Sequence, residues 1–266
     1  MSDLYLEEQA FQGVCEAIAS HTVVIDTSLV SKQKPDWGTG SLIKIRDKYF
    51  VATCKHVVIP EYEVGELRLL YRSDVSFQLA DKKIIKSVRP NLIYPNIHKT
   101  FPRKLPIINK IYSDDEDDLV LLEIDPSSEE MKGYNFFEIE NICLKTPDPK
   151  TEIYYMGFSR ELAVRASTYE DIGVFGFWGW SFITDKNIST EYFDPVKHFL
   201  IEFKTTDDFS IDPIGLSGCG IWSRNPSGKD KLWTPNIFLV GVEQGWFKQS
   251  QVLKVTRIER LIALAK

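Results

Sequence analysis

The sequence has few cysteines and no long hydrophobic run. Its four cysteines show no C-x-x-C spacing and are Cys15, Cys54, Cys143 and Cys219. This scatter favours buried, reduced thiols over a disulfide framework or a zinc site. No stretch of about 18 apolar residues occurs, and residues 1–20 lack the apolar core of a secretory signal. We therefore expect a cytoplasmic protein without a membrane segment or a bound metal.

Positive charge is also scarce. Lysine and arginine number 32 against 38 aspartates and glutamates, which gives a net charge of −6, and no basic run is longer than two residues. Proteins that bind nucleic acid usually carry a basic patch, so we expect no nucleic-acid partner. With 266 residues and 43% hydrophobic residues, the chain is long enough to bury a large core in one all-β domain or two small ones.

Short β-rich runs dominate the chain and are separated by proline, glycine, aspartate and asparagine. They lie at 21–25, 41–45, 49–53, 66–71, 83–88, 119–124, 152–157, 199–204, 221–223 and 237–243. Many short strands without alternating helices predict a barrel or a sandwich. Two segments, 90–117 and 171–195, fit this pattern poorly, and we predict inserted loops or irregular strands there.

Helices are predicted only near the two ends. Apolar residues recur at helical spacing between Leu6 and Ile18, which predicts an amphipathic helix over 4–19 that docks on the barrel or binds a partner. Thr256–Glu259 resembles a capping box that opens a final helix. Between them, two prolines within 145–150 interrupt any strand pairing and indicate a boundary between two barrels.

Three short motifs carry candidate chemistry. Gly38-Thr39-Gly40 leads to a T-x-x-H-V-V segment that contains His56, a D-L-x-L-L segment begins at Asp118, and G-x-S-G surrounds Ser217. A serine hydroxyl becomes a nucleophile only when a base removes its proton. Glycines beside Ser217 allow a sharp turn that points two amides at one spot, although G-x-S-G alone is typical of ordinary turns.

Taken together, these motifs resemble those of the chymotrypsin-like (trypsin-like) serine peptidases, in their disulfide-free bacterial-type subgroup. They follow one another in the order His, Asp, Ser, which is the chain order of that fold. The resemblance runs from about Thr22 to Val255. It implies an all-β fold of two six-stranded-type antiparallel β-barrels, at 21–145 and 150–255, with a short N-terminal helix within 1–20 and a C-terminal helix over 256–266.

The resemblance also implies a role for each site residue. Ser217 would be the nucleophile, His56 the general base, and Asp118 the acid that orients the imidazole, with Asp117 as the fallback. The amides of Gly215 and Ser217 would form the oxyanion hole. No cofactor is required. The remaining histidines, expected at the surface or at strand edges, are His21, His98 and His198.

A substrate pocket is implied at Ile211, Glu243, Gln244 and Gly245. Ile211 occupies the position of the acid that makes trypsin select basic residues, so we expect a mainly apolar pocket. Glu243 or Asp212 would supply an acid only by pointing inward, and acids at a barrel rim are usually solvated.

The function implied is a serine endopeptidase that cleaves protein or peptide substrates through an acyl-enzyme. An inactive member of the fold that binds a protein is the alternative, and an esterase is disfavoured by the His-Asp-Ser order. Leu216 stands where secreted relatives carry an aspartate that receives the freed N-terminal amine, so activation of that type is not expected. We expect regulation by a partner protein instead, through the N-terminal helix or residues 171–195.

Overall fold

The computed structural model describes residues 13–26, 37–58, 68–70, 77–78, 94–95, 108–128, 131, 134–139, 148–159, 164–165, 172–173, 177–186, 188, 192–203, 213–224 and 237–266. The predicted strand at 83–88 lies outside these residues, as do the first part of the predicted N-terminal helix, Cys143 and His98.

The described strands of the first half are β1 (Thr22–Asp26), β2 (Trp37–Ile45), β3 (Lys48–Cys54), β4 (Arg68–Leu70), β5 (Phe77–Gln78), β6 (Tyr94–Pro95), β7 (Ile108–Asp114), β8 (Leu119–Ile124) and β9 (Phe137–Ile139). Six of them form a sheet in the order β4-β1-β2-β3-β8-β7, and β9 adds to β2 as a parallel neighbour. Strands β5 and β6 pair separately.

The strands of the second half are β10 (Glu152–Gly157), β11 (Val164–Arg165), β12 (Ile172–Gly173), β13 (Phe177–Thr184), β14 (His198–Glu202), β15 (Gly220–Arg224), β16 (Ile237–Phe247) and β17 (Val252–Arg257). Six of them close into a barrel in the order β10-β13-β14-β17-β16-β15. Closure pairs both edges of the sheet. The prediction of an all-β, double-barrel fold is confirmed, whereas the residue bounds of the two barrels stay predictions.

Local sequence explains the central hairpin of the first sheet. The turn between β2 and β3 contains Arg46 at a φ of 56°, in the left-handed region that a tight turn requires. Strand β8 is buried along almost its whole length, which explains its continuous apolar run. These strands direct Leu42, Phe50 and Leu121 into a core from which solvent is fully excluded.

The two halves share part of their core. Trp222 on β15 and Leu239 on β16 belong to the second barrel but pack within the apolar cluster of the first sheet. A separate cluster fills the second barrel and includes Tyr155, Ile201 and Leu253. The interface between the halves therefore includes a shared apolar cluster, which gives loops from both sides a common support.

One helix packs at each end of the described chain. Helix α1 covers 13–19 and buries Val14, Cys15 and Ile18 in the first core, so its docking on the barrel is confirmed. Helix α2 covers Ile258–Leu264 and buries Ile258 and Leu261. No described helix is both long enough and apolar enough to cross a bilayer.

Three sequence-based expectations need correction. Segments 90–117 and 171–195 contain two regular strands, β7 and β13, which pair with β8 and β10. The capping box is wrong, because Thr256 lies in β17 opposite His198 and Arg257 provides no side-chain cap for α2. His198 is buried rather than exposed, and its Nδ1 accepts the amide of Asp194 at 3.0 Å.

Candidate active site

His56 and Asp118 are brought together by two paired strands. Strand β3 ends at Cys54, which lies opposite Leu119 at the start of β8. His56 follows in one turn of 3-10 helix over Lys55–Val57, and Asp118 directly precedes β8. Because the strands are antiparallel, these two residues emerge side by side at the same end of the pair.

Two hydrogen bonds join the pair. Asp118 Oδ2 lies 2.6 Å from His56 Nδ1, and Asp118 Oδ1 accepts the backbone amide of His56 at 3.0 Å. The Asp118 carbonyl accepts the Lys55 amide at 3.0 Å. With Nδ1 donating to the carboxylate, Nε2 of neutral His56 carries the lone pair of a base. The His56 side chain is 50% exposed, so a substrate has access to it.

Asp118 adopts an unusual backbone conformation. Its φ is 47°, in the left-handed region, which aspartate tolerates better than most residues with a Cβ. The conformation turns its carboxylate to His56, while the preceding Asp117 is 1% exposed and pairs with Arg260. Asp118, rather than the fallback Asp117, is therefore the acid next to His56.

Backbone hydrogen bonds order the loop around Ser217. The amide of Leu216 donates to Pro213 at 2.9 Å, that of Gly218 to Glu243 at 2.9 Å, and that of Cys219 to Leu216 at 2.8 Å. Within the described residues, the amides of Gly215 and Ser217 donate to no protein acceptor. These are the two amides that the sequence predicts for an oxyanion hole.

Two glycines make this arrangement possible. Gly215 and Gly218 have φ values of 97° and 90°, which side chains with a Cβ rarely adopt. A Cβ on Gly218 would overlap the Thr39 carbonyl and the Thr53 hydroxyl. The loop thus approaches the first sheet as closely as a bare backbone allows.

Thr39, from the G-T-G motif, fastens this loop to the first sheet. Its hydroxyl donates to the Gly215 carbonyl at 2.8 Å and accepts the Phe158 amide at 3.0 Å. Its own amide donates to the Ser217 carbonyl at 2.9 Å. Thr39 therefore sets the orientation of two peptide groups of the loop, the one between Gly215 and Leu216 and the one between Ser217 and Gly218.

The Glu243 carbonyl links the two loops of the site. It accepts the Gly218 amide at 2.9 Å and the Cys54 thiol at 3.0 Å. Gly218 directly follows Ser217, and Cys54 precedes His56 by two residues. One carbonyl oxygen therefore holds both the Ser217 loop and the segment that carries His56. Across the described residues no hydrogen bond joins the Ser217 hydroxyl to His56.

No protein-family model and no curated protein sequence matches this chain. Among solved structures, the Rv3671c protease from M. tuberculosis in its active form aligns with a TM-score of 0.50 and 13% identity, over 94% of this chain and 82% of that one. The scabies mite inactivated protease paralogue S-I1 aligns with a TM-score of 0.53 and 13% identity, over 92% of each chain. The chain has the chymotrypsin-like fold.

Within the chymotrypsin-like fold, an apolar residue anchors the Ser217 loop. The Leu216 side chain is fully buried in the core of the second barrel and approaches Gly157 so closely that a Cβ there would collide with it. Leu216 therefore holds the loop by packing, at the position where, by the resemblance, secreted peptidases carry the aspartate of an ion pair.

Glu243 contradicts the expectation of a solvated acid. It is 1% exposed, and burial raises its pKa to about 8 against an opposing effect of Lys254. The negative charge of Asp118 raises this pKa further, whereas the Gly245 amide lowers it. At neutral pH Glu243 is thus mainly protonated, and within the described residues its Oε2 has no hydrogen-bond partner.

The other predicted pocket residues are placed differently. Gln244 is buried, and its Nε2 donates to the Asp117 carbonyl. Gly245 faces open space, with no atom within 4 Å of the position of a Cβ. Ile211 and Asp212 lie outside the described residues, so the mainly apolar pocket stays a prediction.

One group of side chains has donor atoms of the kind that bind metals. The Cys54 thiol, the His56 imidazole and the Asp118 carboxylate lie within 4.8 Å of one another. Burial raises the pKa of the Cys54 thiol well above its usual value, whereas zinc binds the thiolate. Nδ1 of His56 and Oδ2 of Asp118 already bond to each other. The donor set thus fits a histidine–carboxylate pair better than a metal site.

Sequence reasoning missed two residues of the site. Thr39 was noted only as part of a motif, and the signal that could have identified it is a polar residue between two glycines inside a strand. Arg260, which pairs with Asp117, has no local signal because the two residues are 143 positions apart.

Proposed function

We propose that this protein is a serine endopeptidase that uses Ser217, His56 and Asp118. The observation that carries the proposal is the 2.6 Å contact between Asp118 Oδ2 and His56 Nδ1, with the same carboxylate bonded to the His56 amide. A carboxylate in this position holds the imidazole in one tautomer and stabilises its protonated form.

The proposed reaction proceeds through an acyl-enzyme. Nε2 of His56 takes the proton of the Ser217 hydroxyl as the oxygen attacks the scissile carbonyl carbon, and it then delivers that proton to the leaving amine. Water attacks the resulting ester with His56 again as the base. The amides of Gly215 and Ser217, which donate to no acceptor within the described residues, are suited to bind the negative oxygen of each tetrahedral intermediate.

A protein or peptide substrate follows from this chemistry and is supported by the protease neighbours of the fold. We further propose that the enzyme forms an acyl-enzyme, that it cleaves its substrates inside the cell, and that it is located in the cytoplasm.

A catalytically inactive, protein-binding member of the fold is the second candidate. It is favoured by two observations: one structural neighbour is an inactivated protease paralogue, and no hydrogen bond connects Ser217 to His56 within the described residues. Hydrogen bonds of this kind often tighten only in the complex with substrate, so an active enzyme is also compatible with this arrangement.

Labelling with a fluorophosphonate probe decides between them. The wild type is expected to bind one probe at Ser217, as located by mass spectrometry, and to cleave members of a peptide library. Ser217→Ala should lose both activities. The matched control is Ser250→Ala, because Ser250 lies in the turn between β16 and β17 and contacts Lys186 through its backbone carbonyl only.

The proposal fails if the folded wild type neither binds the probe nor cleaves the library, or if Ser217→Ala keeps the activity of the wild type. In the first case the binding module becomes the better explanation.

Regulation by a partner protein stays a prediction. The burial of Leu216 and the hydrogen bonds of Thr39 support a Ser217 loop that is ordered without a partner. The described apolar face of α1 is already buried against the first sheet. If the isolated chain labels as fast with residues 1–19 deleted as with them present, regulation through α1 is excluded.

A further inference from the structure

Asp117 is a buried carboxylate with two basic partners. It is 1% exposed, and its Oδ2 accepts Nε of Arg260. Nζ of Lys197 lies 3.5 Å from the other oxygen, Oδ1. A buried carboxylate is stable only when it is paired, so these contacts hold the Asp117 side chain in one position.

Arg260 also contacts the start of the same loop. Its terminal nitrogen lies 3.6 Å from Asp114 Oδ2. The other oxygen of that carboxylate accepts the amides of Glu116 at 2.9 Å and Asp117 at 3.0 Å. One guanidinium from α2 therefore connects both ends of the 114–117 loop, a task that suits its planar, forked shape.

The peptide group between Asp117 and Asp118 is held as well. Its carbonyl oxygen accepts Nε2 of Gln244, from β16. Asp118 follows this peptide in the left-handed conformation, with a φ of 47°. Such a conformation persists only where neighbouring groups hold it in place. Here Arg260 binds the side chain of Asp117, before the peptide group, and the Lys55 amide donates to the Asp118 carbonyl, after it.

We propose that Arg260 is a positioning residue for Asp118, acting through Asp117 and the 114–117 loop. The inference rests on the proposed function, since positioning matters for turnover only where Asp118 orients His56. Without Arg260, the Asp117 carboxylate loses its closest partner, the loop relaxes, and Asp118 leaves the left-handed conformation that aims it at His56.

A purely stabilising ion pair is the competing explanation. Surface ion pairs such as Lys48–Glu123 contribute to stability alone, and their contribution is small. Arg260 differs because its partner immediately precedes the acid that touches His56. The two explanations therefore differ in their effect on the His56–Asp118 hydrogen bond, which is observable without any substrate.

The test compares Arg260→Ala, Arg260→Lys and Leu261→Ala in the full chain, at a temperature where all three are folded. Leu261 is the next residue of α2 and is fully buried, so its truncation loosens the packing of the helix without removing the guanidinium. The first readout is the downfield proton resonance of His56 Nδ1–H in a ¹⁵N-histidine sample, and the second is kcat and KM on a peptide cleaved by the wild type.

With Arg260→Ala, the His56 resonance should shift upfield or broaden, and kcat should fall about ten- to a hundredfold with little change in KM, since displacing a catalytic group by about 1 Å has effects of this size. Arg260→Lys should recover part of both signals. Leu261→Ala should lower the unfolding temperature and leave both signals as in the wild type.

The inference is wrong if Arg260→Ala lowers only the unfolding temperature, with the resonance and kcat unchanged. If Arg260→Ala does not fold, Arg260→Gln, which removes the charge but keeps most of the side chain, decides in its place, because a resonance and kcat equal to those of the wild type would overturn the inference. If the folded wild type shows no turnover, the proposed function fails, whereas the effect of Arg260→Ala on the His56 resonance still tests the positioning.

Discussion

Asp117 and Asp118 are consecutive residues whose carboxylates serve different partners. Asp118 bonds to His56 at 2.6 Å, whereas Asp117 is buried against Arg260. The left-handed φ of Asp118 separates the two side chains. The same acidic loop therefore supplies the Asp118 carboxylate to the site and the Asp117 carboxylate to an ion pair with the C-terminal helix.

Replacing each aspartate by asparagine should separate these roles. Asp118→Asn should keep the fold, because asparagine tolerates the left-handed region, and should lower kcat by about 10⁴-fold because its amide favours the wrong imidazole tautomer. Asp117→Asn should lower the free energy of unfolding by about 3 kcal/mol, since it breaks a buried ion pair, and should lower kcat only about ten- to a hundredfold, through the lost positioning of Asp118. Denaturant unfolding and peptide hydrolysis measure the two effects. Equal losses of stability in the two variants would contradict this division.

Glu243 predicts a pH dependence of stability. Its pKa rises from 4.5 to about 8 on folding, so the folded state keeps a proton that the unfolded state loses between these values. The unfolding free energy should therefore fall as pH rises from about 4.5 to 8, by at most about 1.4 kcal/mol per pH unit.

Glu243→Gln removes this titration and should flatten that part of the curve. The matched control is Asp47→Asn, at an exposed turn position between β2 and β3, which should leave the slope unchanged. Chemical denaturation at a series of pH values gives the slopes. Parallel curves for the wild type and Glu243→Gln would show that Glu243 ionises normally in the folded chain.

Gly218 and Gly245 predict opposite responses to alanine. Gly218→Ala should destabilise the fold by about 3 kcal/mol or more, because its φ is 90° and the new methyl group would overlap Thr39 and Thr53. Gly245→Ala should change stability by less than about 1 kcal/mol, since its Cβ meets open space. Thermal and denaturant unfolding compare the two. A stable Gly218→Ala variant would refute the close approach of the loop to the first sheet.

The Thr39 hydroxyl should matter for both stability and turnover. Thr39→Val keeps the shape but removes the hydroxyl that bonds to the Gly215 carbonyl and to the Phe158 amide, at a cost of about 2 kcal/mol. Turnover should also fall, because the peptide group next to the Gly215 amide loses its anchor. Thr39→Ser, which retains the hydroxyl, should behave nearly as the wild type. If valine and serine have the same effect, the loss of the hydroxyl is not its cause and a change in packing is responsible.

Strong local patterns made parts of the fold predictable. The continuous apolar run of β8 and the hairpin of β2 and β3 were located within a few residues of their observed bounds, because their turn residues and strand residues are adjacent in the chain. The neighbourhood of His56 and Asp118 was implied by the resemblance to the chymotrypsin-like peptidases, and in the structure it arises from the long-range pairing of β3 with β8.

Strands without clear boundaries were not predictable. Strand β13 lies in an aromatic and glycine-rich stretch that has no simple alternation, and it becomes a strand by pairing with β10 and β14. Thr256 has the local appearance of a helix cap, but pairing with His198 and Val242 places it in β17. In both cases long-range hydrogen bonds decided the structure against the local signal.

The sequence by itself determined the clearly bounded strands, the three motifs and the backbone conformations open to the glycines around Ser217, because these depend on residues within a few positions of one another. Only the tertiary structure decided that Glu243 is buried and mainly neutral, that Asp117 faces Arg260, and that Thr39 fastens the Ser217 loop. Burial, pKa and ion pairing depend on what lies nearby in space, and the partners of these residues are tens to more than a hundred positions away along the chain.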